Sequence, residues 1–246
     1  SAGGRVFYVM DEGSRVSIQL PARWTLVARD AFNGVVLWKK TMGKWHSHLW
    51  PLKSGPTQLA RRLVAVGDRV YVTMGVDEPV SVLDAATGKK LYELKGSKGA
   101  EEVIVSGDTV FTLVSDEPWE LNSFLPFHNT GDQARVRKDF SWNEKARHVK
   151  AFDAATGKKF WERKTVVCPQ TLTADVRNVF YHDGEKVVAL HRSSGEVEWK
   201  SKKVSRPKEV RFNFAPKLVV HDGVVVYAGG DRTMQAFAAG TGKVMW

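Results

Sequence analysis

VKAFDAATGKKFW, running from Val149 to Trp161, reads as a strand, a tight turn and a second strand that ends on a large aromatic. Val149 and Ala151 alternate into the turn, Asp153 opens it, Thr156 and Gly157 close it, and Phe160 and Trp161 lie on the far strand. The unit recurs as AFNGVVLW (31–38), AATGKKLY (85–92), SSGEVEW (193–199) and GTGKVMW (240–246). Gly34, Gly88, Gly157, Gly195 and Gly242 share one place in it, and Trp38, Tyr92, Trp161, Trp199 and Trp246 each stand four residues after the glycine. Self-similarity at a fixed offset marks a repeat architecture.

The physics of the unit is local. Glycine after Thr, Ser or Asn supplies the positive φ that a short hairpin loop needs. Asp30, Asp84 and Asp153 sit four residues before the glycine, where a carboxylate can accept hydrogen bonds from turn amides. The terminal aromatic is too large for one small sheet to bury, so it is expected to be buried against the next unit and to act as a docking residue. Reading outward, paired β-branched runs flank Gly67-Asp68, Gly107-Asp108 and Asp222-Gly223, a two-residue hairpin signal. The chain is thus expected to be all-β, built of four-stranded antiparallel blades of a β-propeller. One domain over 1–246 divides into blade units of about 1–41, 59–95, 100–164, 170–201 and 216–246, with an insertion at 116–147. The first unit begins at its second strand, Arg5 to Met10.

These A-x-D-A-x-T-G-K-x-x-W runs resemble the tryptophan-docking repeat of the quinoprotein-like β-propellers. That family includes dehydrogenases dependent on pyrroloquinoline quinone and the propeller lipoprotein of the outer-membrane β-barrel assembly machine. The resemblance implies a periplasmic or otherwise extracytoplasmic location and an eight-bladed ring, of which this chain would be a segment. The other reading of the repeats is a closed ring of five blades. Members that use the quinone carry adjacent cysteines and a calcium held by Glu, Asn and Asp. Cys168 is the one cysteine here, so that pair cannot form within this chain, and no cofactor or catalytic residue is expected.

Composition bounds the rest. The chain of 246 residues has 43% hydrophobic and 26% charged residues, ordinary for a globular protein. Its net charge of +10 favours anionic surroundings, whether glycan, lipid head groups, nucleic acid or acidic protein. Direct nucleic-acid binding would want basic and aromatic residues interleaved on strands, which are not seen. Cys168 lacks a nucleophile signature and reads as a small buried residue. No run approaches the ~18 apolar residues of a membrane span. No secretory signal peptide stands at the N-terminus.

Loop parity places the function. In an up-and-down blade, first-to-second and third-to-fourth turns share one face, while second-to-third and blade-to-blade connections share the other. The tight turns fall on the first face and the long connections 11–23, 41–58, 116–147 and 202–215 on the second. Binding residues concentrate on loops carried by a rigid scaffold. The candidate binding face therefore holds Trp45, His46, His48, Trp50 and Lys53, with Arg61 and Arg62 beyond them, and Trp119 and His128 in the insertion. His46 and His48 can share a metal, bind an anion by hydrogen bonds or simply pack. Trp45 and Trp50 can stack on a ligand or plug their loop onto the blade. The expected function is a non-catalytic scaffold offering a basic, aromatic face to a protein partner or anionic ligand. The alternative is part of a quinone-dependent oxidoreductase whose catalytic blades lie outside this chain.

Overall fold

The structure is a computed structural model, and it describes residues 1–14, 16, 22–43, 61–117, 142–210 and 215–246. Within them the protein is all-β. Five sheets form, each antiparallel with its strands in chain order. The first is three-stranded, β1 (Arg5–Asp11), β2 (Trp24–Asp30) and β3 (Val36–Thr41). The second holds β4 (Leu63–Val66), β5 (Arg69–Thr73), β6 (Val80–Asp84) and β7 (Lys90–Glu93), and the third β8 (Ala100–Ser106), β9 (Thr109–Val114), β10 (Ala146–Asp153) and β11 (Lys159–Val166). The fourth is β12 (Thr173–Ala174), β13 (Asn178–His182), β14 (Lys186–His191) and β15 (Val197–Lys203), and the last β16 (Lys217–His221), β17 (Val224–Ala228) and β18 (Met234–Ala238). These are the blades of a β-propeller, as the repeat predicts.

Two departures from the sequence reading have local causes. The first strand of the fourth blade, whose unit is expected over about 170–201, is only the two residues of β12, because the Thr171 hydroxyl intervenes. It accepts from the His182 amide at 3.1 Å and donates to the Cys168 carbonyl at 2.6 Å, taking a strand's place in the ladder. The fourth strand of the last blade, expected over Lys243–Trp246, is reduced to an isolated bridge between Phe237 and Val244. Its backbone still bonds Ala236, since the Met245 amide donates to the Ala236 carbonyl at 2.8 Å and the Ala236 amide to the Trp246 carbonyl at 3.1 Å.

The described residues gather into two compact units, one over 1–103 with Glu117 and the other over 104–116 and 142–246. The core of the first joins Trp24, Leu26, Val70, Val72 and Leu83. In the second, Phe111, Leu113, Val149, Tyr181 and Leu190 form one cluster, and Phe180, Leu218, Val225, Tyr227 and Phe237 another. In both units the inward residues of successive blades face each other, which is how stacked sheets bury what a single sheet cannot.

Candidate functional site

Each blade has two ends of different character. At one end are the two-residue turns Gly67-Asp68, Gly107-Asp108 and Asp222-Gly223 and the aspartate-glycine hairpins. In the hairpins Asp84 Oδ1 accepts from the amides of Ala86 and Thr87 at 3.1 and 2.7 Å, and Asp153 Oδ1 from those of Ala155 and Thr156 at 2.9 and 2.6 Å. Those bonds, with the threonine hydroxyls first among them, hold both carboxyls below the usual range.

The docking aromatics sit at this end. Trp38 donates its indole N–H to the Ala85 carbonyl at 3.1 Å, Trp161 to that of Arg192 at 2.7 Å, and Trp199 to that of Ala239 at 2.8 Å. In each case the acceptor lies three residues before the next blade's turn glycine, and the indole covers that glycine. A Cβ on Gly88 would fall 2.8 Å from Trp38, and one on Gly195 or Gly242 would fall 2.5 Å from Trp161 or Trp199. A second aromatic, from the blade's second strand, supports each indole from its own sheet: Phe7 beside Trp38, Phe111 beside Trp161 and Phe180 beside Trp199, with ring centroids 5.9, 6.0 and 5.8 Å apart. Sequence reasoning missed these partners, although they recur at the third position of β1, β9 and β13 and as Tyr71 in β5. Tyr92 has no indole N–H. Its hydroxyl accepts from Arg69 at 3.3 Å, and burial pushes its pKa up to about 12.

Trp246 departs from the expectation. It is 63% exposed.

At the other end of each blade leave the second-to-third turns and the connections to the next blade. Trp45, His46, His48, Trp50, Lys53, Trp119 and His128 lie outside the described residues. Arg61 faces Glu102 at 3.9 Å. Arg62 is no part of a binding face. It is 1% exposed, its guanidinium directed at the Val76 carbonyl, and burial brings its pKa down to about 10 against the support of Glu101 and Asp77.

Among the described residues, that end holds a recess of about 330 Å³ beside the β13–β14 turn, lined by Gly184, Glu185, Lys203, Ser205, Arg206 and Lys208. Arg206 is its fixed point. Its guanidinium lies over the Trp142 ring at 5.4 Å, donates through Nε to the Gly184 carbonyl at 2.7 Å, and pairs with Glu144 at 2.7 Å. Trp142, from the end of the insertion, is buried with Cys168, Val210 and Ala215. Lys203 pairs with Glu185 at 2.8 Å, while Lys208 stands at the rim. Beneath, the Tyr227 hydroxyl donates to the Ser205 carbonyl at 2.9 Å and its ring stacks on His182 at 5.0 Å. His182 is fully buried, neither ring nitrogen has a hydrogen-bond partner, and desolvation depresses its pKa to about 4. At neutral pH it is an uncharged packing residue. Lys208, with the outer faces of Lys203 and Arg206, each already paired with a carboxylate, gives the recess a basic lining.

A second charged cluster lies on β10 and β11. His148 stands 2.9 Å from Asp116 and 2.7 Å from Glu162, while Lys150, Lys159 and Lys164 reach the same carboxylates at 3.2, 2.6 and 3.2 Å. Three lysines leave no surplus negative charge there for a cation. Among the described residues no helix is long and apolar enough to cross a membrane.

The blades have many structural relatives. BamB from Moraxella catarrhalis matches with a TM-score of 0.52 at 18% identity, over 92% of this chain and 56% of that one. A europium-containing methanol dehydrogenase matches with a TM-score of 0.55 at 12% identity, over 99% and 49%. Hsv2p of Kluyveromyces lactis matches with a TM-score of 0.51 at 9% identity, over 90% and 56%. At such identities the likeness shows the fold alone, and the chain spans about half the length of these structures. No curated protein matches the chain in sequence. The family model described as outer membrane protein assembly factor BamB matches residues 2–133 and 145–246, nearly the whole of the repeat array. By that match, on blades joined by indoles over glycine, the chain belongs to the BamB-like family of β-propellers.

Proposed function

We propose that the chain is a non-catalytic propeller scaffold in an extracytoplasmic compartment, which holds a protein partner at the long-connection ends of its blades. The observation that carries this reading is the asymmetry of the blades: two-residue turns and hairpins at one end, and the basic recess of Lys203, Arg206 and Lys208 at the other. The net charge of +10 favours an acidic partner segment. A family described as an assembly factor at the outer membrane supports both the protein partner and the compartment. The quinone alternative would need its adjacent cysteines in blades outside this chain, whose one cysteine, Cys168, is buried.

A fluorescent polyglutamate peptide tests the polarity of the blade. Its anisotropy should report binding that weakens as salt is added, because such contacts are screened. Lys208→Glu should weaken it more than Lys158→Glu, which makes the same charge change in a hairpin at the opposite end of a blade. Equal losses from the two variants, or none, would overturn the assignment of the face.

A further inference from the structure

His182, at the end of β13, is fully buried, and neither of its ring nitrogens has a hydrogen-bond partner. Its backbone is engaged on both sides: the amide donates to the Thr171 hydroxyl at 3.1 Å, and the carbonyl accepts from the Cys168 amide at 2.7 Å. Only the ring is idle, and the groups around it fasten the connection that follows β15. Tyr227 of β17 stacks on it at 5.0 Å and donates its hydroxyl to the Ser205 carbonyl at 2.9 Å. Arg206 is tied to the Gly184 carbonyl at 2.7 Å, to Glu144 at 2.7 Å, and to the carbonyls of Pro207 and Lys208 at 3.2 and 3.3 Å. Further along, the Val210 carbonyl accepts from the Trp142 amide at 2.8 Å, and Val210 is buried with Trp142, Cys168 and Ala215.

Two charges act on the imidazole. Asp183, next to it in the chain, favours its protonated form, whereas Arg206 opposes it, and burial outweighs both. Tyr227 and Cys168 are the other titratable groups against it, and acid leaves both neutral.

We propose that His182 is an acid-sensitive latch, whose protonation frees the connection over 204–210 while the strands of the blades stay folded. A proton on the ring creates a buried charge with no acceptor, and that charge repels Arg206; admitting water relieves both costs. The connection is the part that yields. Among the described residues it belongs to no strand, and the Val204 amide's bond to the Glu185 carbonyl at 2.8 Å is its last continuation of the ladder. The freed stretch carries Arg206 and Lys208, so acid dismantles the basic recess. That this also releases a partner rests on the function proposed above; the latch itself does not.

The ring's pKa is about 4 while buried and 6.5 once it meets water, so opening takes up a proton below pH 6.5. That difference raises the open fraction about 70-fold between pH 7.5 and pH 4.5.

The Cys168 thiol reads the opening, because it is fully buried and shares its cluster with Val210. Dipyridyl disulfide reacts with thiols in acid as well as at neutral pH. The Cys168 sulfur bonds to one half of the reagent, and the other half leaves with the thiol proton as absorbing thiopyridone. Divided by the rate for glutathione, the rate should rise about 70-fold from pH 7.5 to pH 4.5 and depend little on urea. His182→Phe, which keeps a ring against Tyr227, should make the normalised rate flat with pH. Tyr227→Phe, which loses the bond to Ser205, should raise it about fivefold at every pH and keep the slope. A flat rate in the unchanged protein would overturn the latch, as would an acid rise that His182→Phe retains or an unchanged rate in Tyr227→Phe. So would a rise with the urea dependence of global unfolding, since the whole chain would then be opening. No partner is present, so failure here leaves the binding face standing, and failure of the polyglutamate test leaves the latch.

Discussion

Gly195 and Gly223 have the same backbone, φ +73° in both, but different neighbours. A Cβ on Gly195 would lie 2.5 Å from Trp161, whereas one on Gly223 would meet nothing within 4 Å. Gly223→Ala should therefore cost only the left-handed strain, about 1 kcal/mol. Gly195→Ala should cost clearly more in urea unfolding, because the indole must also move. Trp161→Ala should cost about 3–5 kcal/mol, as for other buried tryptophans. Trp161→Phe should keep much of the packing and lose the bond to the Arg192 carbonyl, about 1 kcal/mol. His182 supplies a pH effect. Its folded pKa of about 4 lies below the ordinary 6.5, so between these values the unfolded chain binds a proton that the folded one refuses. Stability is complete above pH 6.5 and falls by about 3 kcal/mol as the pH drops to 4. His182→Phe keeps the stack on Tyr227 and should flatten that slope. At this scale the docking aromatics were legible because the +4 spacing is local. Phe7, Phe111 and Phe180 were not singled out, since their partnership with the indoles spans two strands.

Strands and hairpins were legible for the same local reason. Asp at the start of the turn and Gly at its end fix a hairpin within six residues of sequence, and the alternation of Val, Phe and Ala sets which side is buried. The structure adds an irregularity that alternation alone does not encode. The register shifts beside the docking aromatic in four blades, between Ala28/Arg29, Val82/Leu83, Ala151/Phe152 and Ala189/Leu190. The aromatic pairs there with a small or β-branched residue, Ala28 with Trp38 and Ala151 with Trp161. A bulge adds twist and re-aims a side chain, and here it turns the indole toward the next blade. Ala151→Leu should accordingly push Trp161 off Gly195. Near-ultraviolet circular dichroism should show the loss of the fixed indole environment, and a spectrum unchanged from the parent would contradict it. The shortened β12 was not legible, because it depends on one hydroxyl, that of Thr171, competing with the ladder.

Within each unit the docking indoles join a blade to the next one along, as in other repeat proteins whose stability sums over neighbours. The molecule's function is less legible than its architecture. Parity of strands predicted which end of each blade carries the long connections, but what those connections recognise depends on side chains brought together from separate loops. Arg62 illustrates the difficulty: beside Arg61 in sequence it reads as surface charge, yet the fold buries it. If the long-connection end is the binding face, His46→Ala with His48→Ala should weaken polyglutamate binding and leave the melting temperature unchanged. A lowered melting temperature with binding intact would mean that these histidines pack the loop onto its blade.

The indole bonds also set an order of events during synthesis. Trp38 finds its acceptor 47 residues later in the chain, Trp161 finds its own 31 later and Trp199 finds its own 40 later. As the chain emerges from the ribosome, N-terminal end first, each of these three blades is complete as a sheet before its indole has anywhere to go. While the first, third or fourth blade is the newest, the growing chain thus shows an uncovered docking tryptophan, and the arrival of the following turn retires it. Chaperones that sense exposed aromatic surface would meet this protein as a single site moving along the chain, rather than as many sites at once.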